Sequence, residues 1–306
     1  YELAEENFYH DVRFLGSHID KTIDILVGGS PCQSFSIAGY RGGFEDTRGA
    51  LFFEFARCVK EFQPKVFIYE NVKGLIHHDK GKTFEIVLRT FNDLGYKCFY
   101  KILNAKDYGI PQNRRRIFVV GFKDHSVNFS FPIPEPLFYN MADFLIGPVD
   151  AKCALTPESL SFIRDPQKFL NQYLQMNSES SFDQTSFQQT HYVEDFVDEK
   201  YYLSERLIKT IMKTQNNNGS IRFNPTINTD IAKTLTSTMH KMHRASIDNY
   251  VSSNGRIRRL TPRECFRLMG FPDTFKFVVS DMQLYKQAGN SIVVDVLMAL
   301  TKEIVN

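Results

Sequence analysis

The residues that could do chemistry are a cysteine, a carboxylate and a cluster of arginines, each at the edge of a short apolar run. Cys32 stands in Gly28-Gly29-Ser30-Pro31-Cys32-Gln33-Ser34-Phe35-Ser36, directly after Thr22-Ile23-Asp24-Ile25-Leu26-Val27. That run reads as a buried β-strand, and the two glycines and the proline stop it and turn the chain. A thiol at the carboxyl end of a strand sits where open α/β sheets place their ligands. It becomes a nucleophile if its pKa falls or a base takes its proton. A lone cysteine is more often a small buried hydrophobe, so its company decides the matter. Glu70 and Asn71 close a second apolar run over 64–72. A carboxylate there is a candidate general acid, and on this segment alone a helix cap or surface acid equally well. Arg114, Arg115 and Arg116 lead into a further run over 117–122. Adjacent arginines are often a solvated face. Strand alternation, however, sends Arg114 and Arg116 the same way, where one can hold an anionic or carbonyl group. Asp11, ahead of the first run, is by itself an ordinary loop acid.

The elements that must position these groups alternate. Strands are expected over 22–27, 64–72, 97–103 and 117–122. Helices are expected over 50–62, where Leu51, Phe52, Phe55, Ala56, Val59 and Phe62 form one apolar face, and over 82–94. This order is that of a parallel, doubly wound α/β sheet. Between the first strand and the first helix, residues 37–49 hold Gly39, Gly42, Gly43 and Gly49. That spacing suits a lid, with Arg41 and Arg48 available to phosphates. Phe131-Pro132-Ile133-Pro134-Glu135-Pro136 is a stiff linker and an expected domain edge. Beyond it the chain turns polar, and Lys241 and Arg244 belong to a basic stretch that suits a nucleic-acid surface. A helix is expected over 260–269, begun by Thr261-Pro262. A last helix over 292–304 is expected to open from Gln287-Ala288-Gly289-Asn290-Ser291.

Composition narrows the class. The chain has 306 residues, 42% hydrophobic and 24% charged, enough for a sizeable core. A net charge of +2 argues for no polyanionic partner by itself. The five cysteines are scattered, without C-x-x-C spacing, which speaks against zinc or another metal and against a disulfide framework. It favours a reducing cytoplasm. No apolar run approaches membrane length.

Taken together, five blocks in order resemble the C5-cytosine DNA methyltransferases of bacterial restriction–modification type. They are G-S-P-C-Q-S-F-S from Gly29, E-N-V from Glu70, Q-N-R-R-R from Gln112, R-L-T-P-R-E-C-F-R-L-M-G-F-P from Arg259, and Q-A-G-N-S from Gln287. The resemblance implies a Rossmann-like S-adenosylmethionine-dependent α/β sheet with a smaller target-recognition domain. The implied layout is catalytic residues 1–150, a recognition domain over 151–284, and a terminal segment 285–306 returning to the catalytic domain. The implied partner is double-stranded DNA, and the implied setting a bacterial or phage-encoded cytoplasmic protein. It implies that Cys32 adds to cytosine C6, that Glu70 meets the N3 edge, that Arg116 contacts the base and orients Glu70, and that Arg114 supports the loop. Asp11, Val12, Pro31, Leu51, Asn290 and Ser291 match cofactor-pocket positions. Gln33, Ser36, Arg41, Arg48, Thr234, Lys241 and Arg244 are the implied DNA contacts.

The chemistry accounts for these residue types. Thiolate addition at C6, with a proton shared at N3, makes C5 nucleophilic enough to take a methyl group. The base must first leave the duplex stack. The family's F-x-G-x-G cofactor loop and ribose acid do not occur in this sequence. A preceding segment or a second chain is therefore expected to complete the cofactor site, and the bare chain to bind the cofactor weakly. Between Gly147 and Gly255 the only glycine is Gly219, so no known target sequence transfers. Two other readings stay open: a tRNA cytosine-C5 methyltransferase of the same fold, and an inactive DNA-binding subunit.

Overall fold

A computed structural model describes residues 11–15, 22–30, 50–147, 149, 153–154, 197–212, 226–241, 243–244 and 247–305. In chain order the elements are β1 (Ile25–Gly29), α1 (Ala50–Phe62), β2 (Val66–Val72), α2 (Lys82–Asp93), β3 (Lys97–Asn104), β4 (Gln112–Asn113), β5 (Arg115–Phe122) and β6 (Cys153–Ala154). They continue with α3 (Glu205–Met212), β7 (Thr226–Ile227), β8 (Ala232–Lys233), β9 (Tyr250–Ser253), β10 (Arg256–Arg259), α4 (Pro262–Arg267), α5 (Asp281–Asn290) and α6 (Val294–Val305). The chain divides into two compact units, one of residues 1–103, 115–133 and 300–306, the other of residues 104–114 and 134–299.

The first unit is built on a four-stranded sheet in the order β1-β2-β5-β3. β1 runs parallel to β2, with Gly29 opposite Glu70. β5 runs antiparallel to β2, from Val66 opposite Phe122 to Val72 opposite Arg116. The sheet is therefore mixed, not the all-parallel sheet expected from the alternation of elements. The reason lies in the link. A parallel neighbour needs a crossover of about a dozen residues or more, usually a helix. The stretch between β3 and β5 offers only a short 3-10 turn and β4.

The core of this unit lies against one sheet face. Phe52, Phe55 and Val59 of α1 and Phe84, Val87 and Phe91 of α2 cluster with Phe67, Tyr69, Ile117 and Val119. Ring centroids in this group lie 4.3 Å apart for Phe67 and Phe91, and 5.7 Å for Phe52 and Tyr69. Aromatic contacts at such separations add to what area burial alone supplies. Ile68 and Val120 are also fully buried, so β2 and β5 are covered on both faces. Leu51 departs from its expected place in the apolar face of α1. It is 38% exposed on the helix's first turn, before the buried row begins at Phe52.

In the second unit β10, β9, β7 and β6 form one sheet, and β4 pairs with β8 in another. α4 begins as its sequence dictates. Thr261 and Glu264 form a reciprocal capping box around Pro262. The closing helix expected over 292–304 is present as α6, but the segment from Gln287 ends a preceding helix instead of opening it. Gln287 to Asn290 form the last turn of α5, and Ser291 is extended (φ −69°, ψ 156°) before α6 starts at Val294.

Candidate active site

β2 delivers Glu70 to the carboxyl end of its strand beside the matching end of β1, because the two strands are parallel and in register. Across the sheet, Arg116 lies opposite Val72, two positions from the residue opposite Glu70. That diagonal is within reach of long side chains on one face. Arg116 Nε donates to Glu70 Oε1 at 3.0 Å, with the two side chains 16% and 12% exposed. The guanidinium also donates to the Arg115 carbonyl at 3.0 Å. Gly29 makes room for this arrangement. A Cβ there would stand 2.6 Å from the Glu70 carbonyl oxygen and 3.1 Å from Oε2.

The neighbouring Asn71 turns its side chain to a different task. Buried among polar groups, its Nδ2 donates to the Ser30 carbonyl and to the Tyr69 hydroxyl, each at 2.9 Å. Ser30 Oγ and the Tyr69 hydroxyl are 2.7 Å apart. Asn71 Oδ1 accepts from the Val72 amide at 2.8 Å. Burial pushes the Tyr69 phenol up to about 12, so it keeps its proton at neutral pH. This cluster fixes the last described residue before Pro31 and Cys32. Pro31, Cys32, Gln33, Ser36, Arg41 and Arg48 lie outside the described residues. The sequence places Asn71 at the end of a strand and within a motif but gives it no task. Its contact spans 41 residues of sequence and leaves no local signal.

The strand alternation expected to send Arg114 the same way as Arg116 does not reach Arg114. β5 begins only at Arg115, so its pleat does not extend back to Arg114. Within the second unit Arg114 is buried, and it donates to the carbonyls of Leu235 at 2.8 Å, Gly289 at 3.0 Å and Ser291 at 2.7 Å. Gln112, to which the sequence assigned no role, is wholly buried beside it.

The residues matched to a cofactor divide between the units. In the first, Asp11 caps the short turn Val12–Phe14 and accepts from the Arg13 amide and guanidinium. These contacts hold its carboxyl down at about 2. The Val12 carbonyl accepts from Arg57 of α1 at 2.8 Å, which docks the turn on the helix that carries Leu51. In the second, Asn290 is exposed and Ser291 partly so.

The described DNA-contact candidates differ in availability. Lys241 is exposed. Thr234 spends its hydroxyl proton on the Asn113 carbonyl at 2.7 Å, leaving its oxygen as an acceptor. Arg244 is paired with Asp248 at 2.9 Å and donates to Thr236. Among the described residues no cluster of His, Cys, Asp and Glu could hold a metal ion, and no helix is long and apolar enough to cross a membrane.

Residues 5–306 match the family profile of the C-5 cytosine-specific DNA methylases. The type II methyltransferase M.SsoII of Shigella sonnei is 37% identical over 92% of this chain and 64% of its own length. M1.ScrFI of Lactococcus lactis is 37% identical over 92% of this chain and 61% of its own. For both, the chain spans less than two thirds of the relative. M.HhaI of Haemophilus parahaemolyticus is 37% identical over 93% of this chain and 77% of its own length. A solved structure of a putative DNA modification methyltransferase from an Escherichia coli prophage superposes with a TM-score of 0.59. It is 22% identical and covers 97% of this chain and 84% of its own. The Schizosaccharomyces pombe Dnmt2 methyltransferase gives a TM-score of 0.54 at 16% identity, over 92% of this chain and 78% of its own. These last two likenesses bear on the fold alone.

Proposed function

The chain belongs to the C-5 cytosine-specific DNA methylase family, and we propose that it methylates C5 of a cytosine within a specific duplex sequence, with S-adenosylmethionine as donor. The observation that carries this reading is the Glu70–Arg116 pair, 3.0 Å apart at the carboxyl end of β2, beside the strand that leads into Ser30-Pro31-Cys32. Cys32 supplies the thiolate that bonds to C6 of a base drawn out of the duplex. Glu70 holds a proton at the N3 edge. Arg116 fixes the carboxyl in place and limits its rotamers. Asn71 holds Ser30, and with it the entry to the cysteine, against the sheet.

The residues present suit the donor's adenosine. The Asp11 side chain keeps 29% exposure although Arg13 donates to both of its oxygens, and Leu51 offers exposed apolar surface on the helix that anchors the Val12 turn. Asn290 and Ser291 are assigned to the amino-acid end. When bound, the cofactor supplies the methyl group. Sequence readout is assigned to the segment between Lys152 and Arg256, because base-edge contacts specify and phosphate contacts only position.

The test is a duplex carrying 5-fluorocytosine at the target, incubated with protein and S-adenosylmethionine. A denaturation-resistant adduct is expected with the wild type and none with Cys32→Ser. An adduct that survives Cys32→Ser rules out Cys32. Methyl transfer to tRNA but not to duplex DNA overturns the choice of substrate.

A further inference from the structure

Gln112 and Arg114 belong to the same arginine-rich block as Arg116, yet the chemistry above gives them nothing to do. Their contacts are specific. Gln112 Nε2 donates to the Leu268 carbonyl at 2.7 Å, while its Oε1 accepts from the Leu235 amide at 3.0 Å. Arg114 grips Leu235 from the other side, at its carbonyl, and with its second terminal nitrogen reaches the carbonyls of Gly289 and Ser291. The main chain supports the same junction. β4 pairs with β8 through Gln112 opposite Ala232 and Asn113 opposite Lys233. A Cβ on Gly289 would stand 2.2 Å from the Ser237 nitrogen and 2.3 Å from the Thr236 carbonyl carbon. Only a glycine lets the end of α5 seat on that backbone.

Two segments are thus held in one register. The first, residues 233–237, borders a cavity of about 450 Å³ whose walls include Lys106, Asn113, Lys233, Thr234 and Thr236. Two lysines with hydroxyl and amide groups form a lining suited to a phosphodiester. The second is the Gly289–Ser291 turn at the end of α5. A planar guanidinium can serve three carbonyls at once, whereas an ammonium on a flexible stem cannot fix the same geometry.

We propose that Gln112 and Arg114 are positioning residues that couple DNA-backbone binding at the 233–237 segment to cofactor binding at the Asn290–Ser291 turn. The inference rests on the methyltransferase reading given above. A ligand that orders either segment orders the other through shared bonds, so each should tighten the other's binding by the same factor.

The test starts from wild-type protein shown to methylate duplex DNA. The probes are S-adenosylhomocysteine and a duplex carrying the site mapped by bisulfite sequencing. Calorimetry gives the Kd of S-adenosylhomocysteine with and without the duplex. Tightening of roughly tenfold is expected for the wild type, within the usual range of coupling between sites. In Arg114→Lys the ratio should fall to within about twofold of one, at a melting temperature within a few degrees of wild type. An unchanged ratio in the folded variant overturns the proposal, since a mere structural prop would leave the ratio alone. Should that variant not fold, hydrogen exchange on the wild type decides. S-adenosylhomocysteine alone should slow exchange at the Leu235 amide, and duplex alone should slow it at the Ser291 amide. Absence of either effect overturns coupling through this junction. Intact methylation without coupling sinks this inference only, whereas absence of methylation by the wild type removes the parent reading and this one with it.

Discussion

Two arginine–carboxylate pairs in this molecule use the same chemical groups for opposite ends. Arg116 and Glu70 meet at a strand end, and both side chains keep some exposure. Arg258 and Glu264 have none at all. Glu264 accepts from both terminal nitrogens of Arg258 at 2.8 Å, from the Ile146 amide at 2.8 Å and from the Thr261 amide at 2.6 Å. Four donors converge on its two oxygens. Losing either partner would strand a charge in the interior. The strand-end pair holds its carboxylate by a diagonal contact across the sheet, and that carboxylate keeps 12% exposure. Residue type therefore does not separate these two carboxylates. The remaining exposure of their side chains does.

Exchanging the expected phenotypes would break this distinction. Glu70→Gln preserves shape and removes the titratable proton. Methyl transfer should fall by roughly 10² to 10⁴-fold, the usual worth of a positioned general acid, with little change in melting temperature. Single-turnover transfer of a labelled methyl group measures the first quantity and calorimetry the second. Glu264→Ala should do the reverse in kind. It should cost about 3–5 kcal/mol of stability, as removal of one member of a buried pair does. Denaturant titration reads that loss. A folded, active Glu264→Ala together with an unfolded Glu70→Gln would overturn the assignment of roles.

A smaller effect sharpens the same contrast. Asn71→Ala removes the donor to Ser30 and Tyr69 but touches neither Glu70 nor Arg116. The buried Ser30 carbonyl then loses this donor, at about 1–3 kcal/mol, while the Tyr69 hydroxyl keeps its bond to Ser30 Oγ. The yield of the 5-fluorocytosine adduct should also drop, because Ser30 no longer fixes the approach to Cys32. Full adduct yield in a destabilised Asn71→Ala would confine this residue to the core.

Much of this was legible before any coordinates, for reasons that differ from place to place. Helix α1 occupies 50–62 as its apolar periodicity requires. Glu70 stands at the end of a strand legible from its own residues, whereas the choice of Arg116 among the adjacent arginines came only from the family resemblance. The direction of β5 was hidden, since it depends on the length of a link rather than on strand composition. Arg114 was misplaced because alternation holds only inside a strand, and β5 starts one residue later. The roles of Asn71 and Gln112 are long-range. The Gln112 bond to Leu268 crosses 156 positions of sequence, and no window that reads periodicity contains both ends.

The smallest expected effect concerns Arg259, which adjoins Arg258 on β10 but faces an imidazole instead of a carboxylate. Its guanidinium lies 2.7 Å from His243 Nε2. Arginine can only donate, so that nitrogen is the acceptor and the ring proton belongs on Nδ1. Burial, followed by the charge of Arg259, pushes the His243 pKa below its ordinary value, with Asp248 opposing. The sign follows from the order in which the two states take up protons. As pH falls, the unfolded chain binds its proton first, near the ordinary value of about 6.5. The folded protein resists until a lower pH. Stability from this site is therefore complete above about pH 6.5 and is lost as pH falls below it. Thermal unfolding at a series of pH values from 7.5 to about 5 should show that decline in the wild type. His243→Gln keeps an acceptor for Arg259 and cannot titrate, so its decline over the same interval should be shallower. Parallel curves for the two proteins would mean that His243 titrates alike in the folded and unfolded chain, and that burial beside Arg259 does not hold its ring neutral.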